Sequence, residues 1–226
     1  MSTPVVNVVD DDPAVSSAIS LIAKNIGYAA AIYRSAEDFL YGHDPERPGC
    51  LILDLKMPGA SGLEIQKMLL EAGVEIPMII VSGNADVPMA VVSMSRGAYM
   101  FLEKPFRMDI LQQHISNALE LDASRRAVRA KRLRARQQLS RLTEKEQEVL
   151  RMILQGLTNK QMAEGLGLTV RAIEDRRSRL MRKLEVNTLI ELLDMVNSAG
   201  GFRLDSPAPP PVPRVEMRSA AAAVSD

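Results

Sequence analysis

Five short apolar runs rich in Val and Ile punctuate the first 120 residues: Val5–Val9, Tyr28–Tyr33, Cys50–Leu53, Met78–Val81 and Tyr99–Leu102. Stretches with helical spacing separate them, roughly Ala14–Ile26, Ala36–Tyr41, Gly62–Glu71 and Val87–Ser95, with another after Arg107. Strict alternation of strand and helix argues for a doubly wound α/β fold, a five-stranded parallel sheet with helices on both faces. Several helix starts are marked. Ser35-x-x-Asp38 and Ser61-x-x-Glu64 are capping-box patterns, and Pro13 suits a first-turn position.

The residues that end these runs are not apolar. Asp10 and Asp11 follow the first run, Asp54 the third and Ser82 the fourth, and Lys104 comes two residues after the last. In open α/β sheets ligands bind outside the carboxyl ends of the strands. A parallel arrangement therefore gathers three carboxylates, a hydroxyl and an ammonium on one edge. Carboxylates held together repel unless a cation intervenes. Mg²⁺ answers that need, because it takes oxygen ligands and commonly one or two carboxylates. Asp11 and Asp54 are its expected protein ligands, with the Lys56 backbone carbonyl as a third and Asp10 acting directly or through water. Asp54, on the central strand of the group, is the expected nucleophile for a phosphoryl group. Lys104 and Ser82 are expected to supply a charge and a hydrogen bond to the phosphoryl oxygens.

A chain of 226 residues supports two ordinary domains. Its 46% hydrophobic and 25% charged residues match a globular protein. No apolar stretch approaches the ~20 residues needed to span a bilayer, so no membrane partner and a cytoplasmic location are expected. Cys50 is the single cysteine, which excludes an internal disulfide and a cysteine metal cluster; it reads as a core residue. Zero net charge hides an asymmetry. Residues 1–120 hold 8 Lys+Arg against 15 Asp+Glu, and residues 121–205 hold 18 against 11. Only the second half is expected to meet a polyanion.

That half carries no convincing strand. Thr143-x-x-Glu146 opens one helix, which Gly156 ends; Asn159–Leu166 is a second, Val170–Leu184 a third, and Thr188-x-x-Glu191 opens a fourth. Two helices joined by a short glycine-containing turn are a helix-turn-helix candidate. Between the halves, residues 121–139 read as a helical linker, with seven basic residues in the twelve from Arg125 to Arg136. It is either a solvated helix or, through Leu121, Val128, Ala135 and Leu142 at seven-residue spacing, a short coiled-coil seam. From Ser206 onward Pro and Ala dominate, and a disordered tail is expected.

Residues 1–120 resemble a response-regulator receiver domain of two-component signalling. The likeness rests on Val9-Asp10-Asp11, Leu53-Asp54-Leu55-Lys56-Met57-Pro58-Gly59-x-Ser61-Gly62, Ser82-Gly83, Gly97-Ala98 and Lys104-Pro105-Phe106. It implies a flavodoxin-like fold, phosphoryl transfer from a sensor histidine kinase to Asp54, and a cis Lys104–Pro105 bond. It also places Phe101 at the family's aromatic switch position, although a plain core aromatic fits equally. Asp86-Val87-Pro88-Met89-Ala90-Val91 together with Phe101–Phe106 is similar to the FixJ branch.

Residues 140–205 resemble the four-helix LuxR/NarL-type output domain. The matching residues are Leu142-Thr143-x-x-Glu146-x-x-Val149-Leu150, Gly156-Leu157-x-Asn159-Lys160-x-x-Ala163 and Lys183-Leu184. This resemblance implies double-stranded DNA and RNA polymerase as partners. Asn159 and Lys160 would hold phosphates, and Arg171, Glu174, Asp175, Ser178 and Arg182 would face the groove, with Arg176, Arg177 and Arg179 adding positive charge. Glu174 and Asp175 either accept from cytosine N4 or serve as helix-start carboxylates favoured by the macrodipole, the second being preferred for at least one of them. Ala172, Arg176 and Arg179 stand where the family usually has Thr, His and Asn, which bears on the target sequence.

The combined expectation is a response regulator that is phosphorylated on Asp54, then dimerises and binds DNA. Ser82 would move to bond the phosphoryl group and Phe101 would rotate into the space it leaves. No separate substrate turnover is expected. A haloacid-dehalogenase-type phosphatase would need a second Asp two residues after the nucleophile, where this chain has Lys56. A ligand-binding LuxR-type regulator would not need the cluster Asp10, Asp11 and Asp54, and an adaptor without DNA affinity is separable by a gel shift over a salt series.

Overall fold

The computed structural model describes residues 3–57, 62–83 and 87–201. Two compact units divide between Val128 and Arg129.

In the first unit β1 (Val5–Val9), β2 (Ala29–Tyr33), β3 (Gly49–Asp54), β4 (Met78–Ser82) and β5 (Met100–Glu103) form one sheet. Its order is β2-β1-β3-β4-β5 and every pairing is parallel. The strands alternate with α1 (Pro13–Asn25), α2 (Ala36–Gly42), α3 (Gly62–Glu71) and α4 (Val87–Ser95), and α5 (Met108–Ser140) follows β5. Because strand side chains alternate faces, two cores form. Val6, Val8, Cys50, Ile52, Ile79 and Val81 pack with Ile19 and Ile22 of α1 and Leu111 and Ile115 of α5. Val9, Leu51, Leu53, Met78 and Ile80 pack with Phe39 of α2 and Ile65 and Leu69 of α3. Each such buried side chain contributes about 1.5–3 kcal/mol. Burial pushes the Cys50 thiol up to about 12, so it is a protonated core group.

The strand boundaries depart by a residue or two from the apolar runs. β3 begins one residue early, at Gly49, where a Cβ would sit 2.3 Å from the Val5 carbonyl oxygen; only glycine lets the strands approach there. Tyr28 is not in β2: its N–H bonds the Ala23 carbonyl in the turn that closes α1. Ser35 caps α2 by accepting from the Asp38 N–H, and Pro13 stands first in α1 behind the N-cap Asp12. The Ser61 cap lies outside the described residues.

The second unit is helical. α6 (Glu144–Leu154), α7 (Asn159–Leu166), α8 (Val170–Lys183) and α9 (Leu189–Ser198) each begin behind a threonine whose side chain accepts from the backbone three residues on. Thr143 with Glu146 and Thr158 with Gln161 form reciprocal capping boxes. Glu146 also bonds Lys183 at 2.7 Å, which ties the start of α6 to the end of α8 and holds its carboxyl below the usual range. Gly167 at φ +63 ends α7 in the left-handed region and sets the turn into α8. Val149, Leu150, Met162, Ile173, Leu180, Leu192 and Val196 fill the core.

α5 changes the reading of the basic segment. Ala135 and Leu142, half of the proposed coiled-coil seam, are buried in the second unit's own core, while Val128 is 66% exposed. No seam remains for a partner helix. The run is also not uniformly solvated. Arg126 is half-buried on the first unit, bonded to Asp122 and to the Pro45, Glu46 and Arg47 carbonyls. Arg136 donates to the Ala199 carbonyl that α9 leaves unpaired at its end. The tail from Ser206 lies outside the described residues.

Candidate functional site

The strand order reverses between β1 and β3, and the acidic residues stand at that switch point, where such sheets bind ligands. One local device builds both sides. After β1, Asp10 is buried, and its Oδ1 accepts from the Asp12 N–H at 2.9 Å. At the end of β3, buried Asp54 repeats this turn, with Oδ1 accepting from the Lys56 N–H at 2.8 Å. Each short carboxylate bonds its own backbone two residues on, which fixes the plane of the group. Each second oxygen meets Lys104 just after β5: Nζ is 2.8 Å from Asp10 Oδ2 and 2.7 Å from Asp54 Oδ2. Lys104 is positioned by its own N–H on the Ser82 carbonyl, and the Lys104–Pro105 bond that follows is cis.

Charge balance follows from this geometry. Burial raises the Asp10 pKa; the Lys104 and Asp12 hydrogen bonds oppose the rise without cancelling it, and the Asp54 charge adds to it. For Lys104, burial alone would lower the pKa, but the bonds to Asp10 and Asp54 outweigh it and the net direction is up. The lysine therefore stays an ammonium between two buried carboxylates.

Asp11 is exposed, and one carboxylate oxygen from each of Asp10, Asp11 and Asp54 lies within 4.8 Å of the others. Three hard oxygen donors in that space suit Mg²⁺. Ser82 is fully buried at the end of β4, one residue beyond Val81, the register partner of Asp54. Phe101 is half-buried against the α2/α3 face. Lys56 is exposed beside the cluster, whereas Pro58–Ser61 and Asp86 lie outside the described residues. Two supporting groups escaped the sequence reading. Asp12 caps α1 through the Ala14 N–H at 2.8 Å, a role legible in Asp12-Pro13; Ser16 bonds the Asp10 carbonyl at 3.3 Å and left no sequence signal.

The second candidate surface is on α7 and α8. Arg171, Glu174, Asp175, Ser178 and Arg182 are all exposed, at the spacing of one helix face. Arg179 is exposed beside that face, and Arg176 is half-buried farther round. Lys160 is exposed in the first turn of α7, where Asn159 is half-buried. The macrodipole reading of Glu174 and Asp175 fails. α8 starts at Val170, so both lie beyond its first turn, and the dipole effect fades within one turn. They are carboxylates of the exposed face.

Comparison with known proteins gives the same division. The family described as "Response regulator receiver domain" matches residues 6–116, and "Bacterial regulatory proteins, luxR family" matches residues 140–196. The response regulator protein TodT of Pseudomonas putida is 37% identical over 189 residues, 84% of this chain and 83% of that one. The transcriptional regulatory protein FixJ of Rhizobium meliloti is 36% identical over 204 residues, 89% of this chain and 98% of FixJ. Among solved structures, the response regulator StyR aligns with a TM-score of 0.80 at 37% identity, over 87% of this chain and 99% of StyR. Full-length FixJ from B. japonicum aligns with a TM-score of 0.53 at 30% identity, over 88% of this chain and 98% of that one.

Proposed function

Since the chain belongs to the two-component response regulators that join a receiver domain to a LuxR-type DNA-binding domain, we propose that Asp54 is its phosphoacceptor and that phosphorylation turns it into a DNA-binding dimer. The observation that carries this reading is the Lys104 ammonium shared between Asp10 and Asp54 at the switch point of the sheet. Residues 1–120 act as receiver and 140–205 as reader, with 121–139 between them. A sensor histidine kinase is the phosphoryl donor and double-stranded DNA the target. RNA polymerase is a further partner, and the setting is the cytoplasm. Among the described residues no helix is long and apolar enough to cross a membrane.

An Asp54 carboxylate oxygen attacks phosphorus; the P–N bond to the kinase histidine breaks, and its electron pair stays on the imidazole. The product is an acyl phosphate. The Lys56 N–H holds the carboxylate plane, and Lys104 exchanges its bond to Asp54 for one to a phosphoryl oxygen. Asp10, Asp11, Asp54 and the Lys56 carbonyl would hold Mg²⁺, which when bound would neutralise charge on the transferring oxygens. The protein assists its own phosphorylation and dephosphorylation and turns over no separate substrate.

The new group carries nearly two negative charges and three acceptor oxygens. Ser82 bonds one of them and Phe101 turns inward. Exposed Val91 and Met94 of α4 and Ile110 of α5 support an apolar surface there that pairs two copies. Moving the equilibrium from 1:99 to 99:1 would take ~5.5 kcal/mol of preference for the active form. On DNA, Arg171, Glu174, Asp175, Ser178 and Arg182 face the groove, while Asn159, Lys160, Arg176 and Arg179 serve the backbone.

Intact-mass spectrometry with acetyl phosphate and Mg²⁺ tests the phosphoacceptor. One added phosphoryl mass, lost in Asp54→Asn, is expected with a shift to dimer in sedimentation. An adduct that survives Asp54→Asn would refute the assignment.

A further inference from the structure

Six arginine and lysine side chains lie within α8 after its threonine cap; two of them, Arg176 and Arg177, are half-buried, and Arg177 is tied to the preceding helix. Arg177 follows Arg171 by six residues, which places it about 240° round the helix from that face. It is half-buried, flanking the core stripe of Ile173, Leu180 and Leu184. Its Nη1 donates to Asn159 Oδ1 at 2.7 Å, joining α8 to the first residue of α7. A guanidinium has donors only, and a carboxamide has one acceptor oxygen and one NH₂ group. The contact therefore decides which end of Asn159 is committed: the oxygen is engaged, and what the side chain has left to offer is two N–H donors.

From this contact we infer that Arg177 is a positioning residue for DNA, acting through Asn159 rather than binding phosphate itself. The inference rests on the reading that α7 touches the DNA backbone, as the helix before a recognition helix does. A phosphate oxygen needs donors. An Asn159 free to flip would present its oxygen to the phosphate part of the time, and two acceptors repel. Arg177 removes that orientation. It does so at the start of α7, beside exposed Lys160 and where backbone N–H groups already favour an anion. The charge of Arg177 is thus spent on a neighbouring side chain, although a count of basic residues assigns it to the phosphates.

The test uses the full chain, treated with acetyl phosphate and Mg²⁺, and a duplex of mixed sequence over a salt series. Arg177→Gln is expected to weaken binding about tenfold, as for one lost hydrogen bond to a charged group, and Asn159→Ala by a similar factor. The double variant is expected to lose no more than either single one, because both act through the same contact. The salt slope separates the roles. Lys160→Gln should lower it by about 0.9, the value for one phosphate neutralised, and Arg177→Gln by much less. Asn159→Asp guards against misfolding: it keeps an acceptor for Arg177, and with it the brace and the thermal midpoint, but removes the donors. Binding should fall all the same.

Multiplying losses in the double variant, a slope change of about 0.9 for Arg177→Gln, or unchanged binding by Asn159→Asp would each overturn the inference while leaving DNA binding intact. No salt-dependent binding by the unsubstituted chain would overturn the DNA-binding reading and this inference together.

Discussion

Replacing Arg126 with Met should destabilise the first unit and leave the second untouched. Its Nε donates to Asp122 Oδ2 at 2.8 Å, Nη1 to the Glu46 carbonyl at 3.0 Å, and Nη2 to the Pro45 and Arg47 carbonyls at 3.1 and 2.9 Å. Asp122 is only 4% exposed and keeps one other donor, the Gly49 N–H at 2.9 Å. The three carbonyls belong to a surface turn, so water replaces the guanidinium there at small cost. The carboxylate cannot be rescued in that way. Breaking a buried pair by removing one partner costs about 3–5 kcal/mol, and with Arg126 reaching the surface the lower end applies, about 3 kcal/mol.

The assay follows from composition. The chain has no Trp, and its four Tyr, at positions 28, 33, 41 and 99, all lie in the first unit. Tyrosine fluorescence in urea therefore reports that unit alone. With a slope of about 2 kcal/mol per molar urea, Arg126→Met should lower the midpoint by about 1.5 M. Adding Asp122→Asn removes the stranded charge yet keeps an acceptor for Gly49, and should recover more than half of the loss. A midpoint shift below about 0.3 M, or a double variant no more stable than the single one, would refute the argument.

Lys104→Met should destabilise the same unit in EDTA by about 2–3 kcal/mol, a midpoint lower by about 1–1.5 M urea, since it strands two buried carboxylates, and Mg²⁺ should shrink the deficit; equal deficits with and without Mg²⁺ would contradict the shared-ammonium account. His43 stacks on Phe39 at 4.6 Å, and burial holds its pKa below the usual value, with the Arg126 charge acting the same way and Asp44 and Asp122 opposing. Folding thus favours the neutral ring: its contribution is complete above the unfolded pKa of about 6.5 and is lost as pH falls toward the folded value. His43→Gln should flatten the fall in first-unit stability below about pH 6.5, and parallel profiles would count against it. Glu174→Ala should relax DNA sequence preference at one position by about 1–3 kcal/mol without lowering the salt slope, as read by sequencing retained duplexes; an unchanged preference would remove Glu174 from the groove.

The sheet and its site were legible because they rest on local rules. Short apolar runs ending in Asp10, Asp54 and Ser82 state both the strand and the edge it reaches, and a parallel sheet then brings the ends together whatever the connections. The acceptor turns at Asp12 and Lys56 follow from the same chemistry and were implicit in the short carboxylates. The helical unit was legible for a similar reason, since Thr143 and Thr188 each mark a start; Thr158 and Thr169 cap α7 and α8 in the same way, a signal the sequence carried but its reading left unused. What escaped was pairing at a distance. Nothing near Arg126 says that three carbonyls 79 to 81 residues earlier will lie beneath it. Nothing near Arg177 says that Asn159, 18 residues back, will take its charge.

The basic segment of α5 shows why charge counting fails in one helix and works in another. No acidic residue lies between Asp122 and Glu144, and Arg125/Arg129 and Arg132/Arg136 are like-charged neighbours one turn apart. Such pairs weaken a helix by a few tenths of a kcal/mol each, and a stretch of about twelve residues is marginal in water even without them. Residues 127–134 are all exposed, so burial of apolar surface does little to order them. Order comes instead from the two ends, where tertiary contacts take over the costly nucleation step: Asp122 and Arg126 on one, Ala135 and Leu139 on the other. With nucleation met twice, the Ala- and Arg-rich middle need only propagate, which its residues do well. Basic residues on α8 stand on a helix already held by its buried stripe, so there exposed Arg171, Arg179 and Arg182 remain available to an external anion.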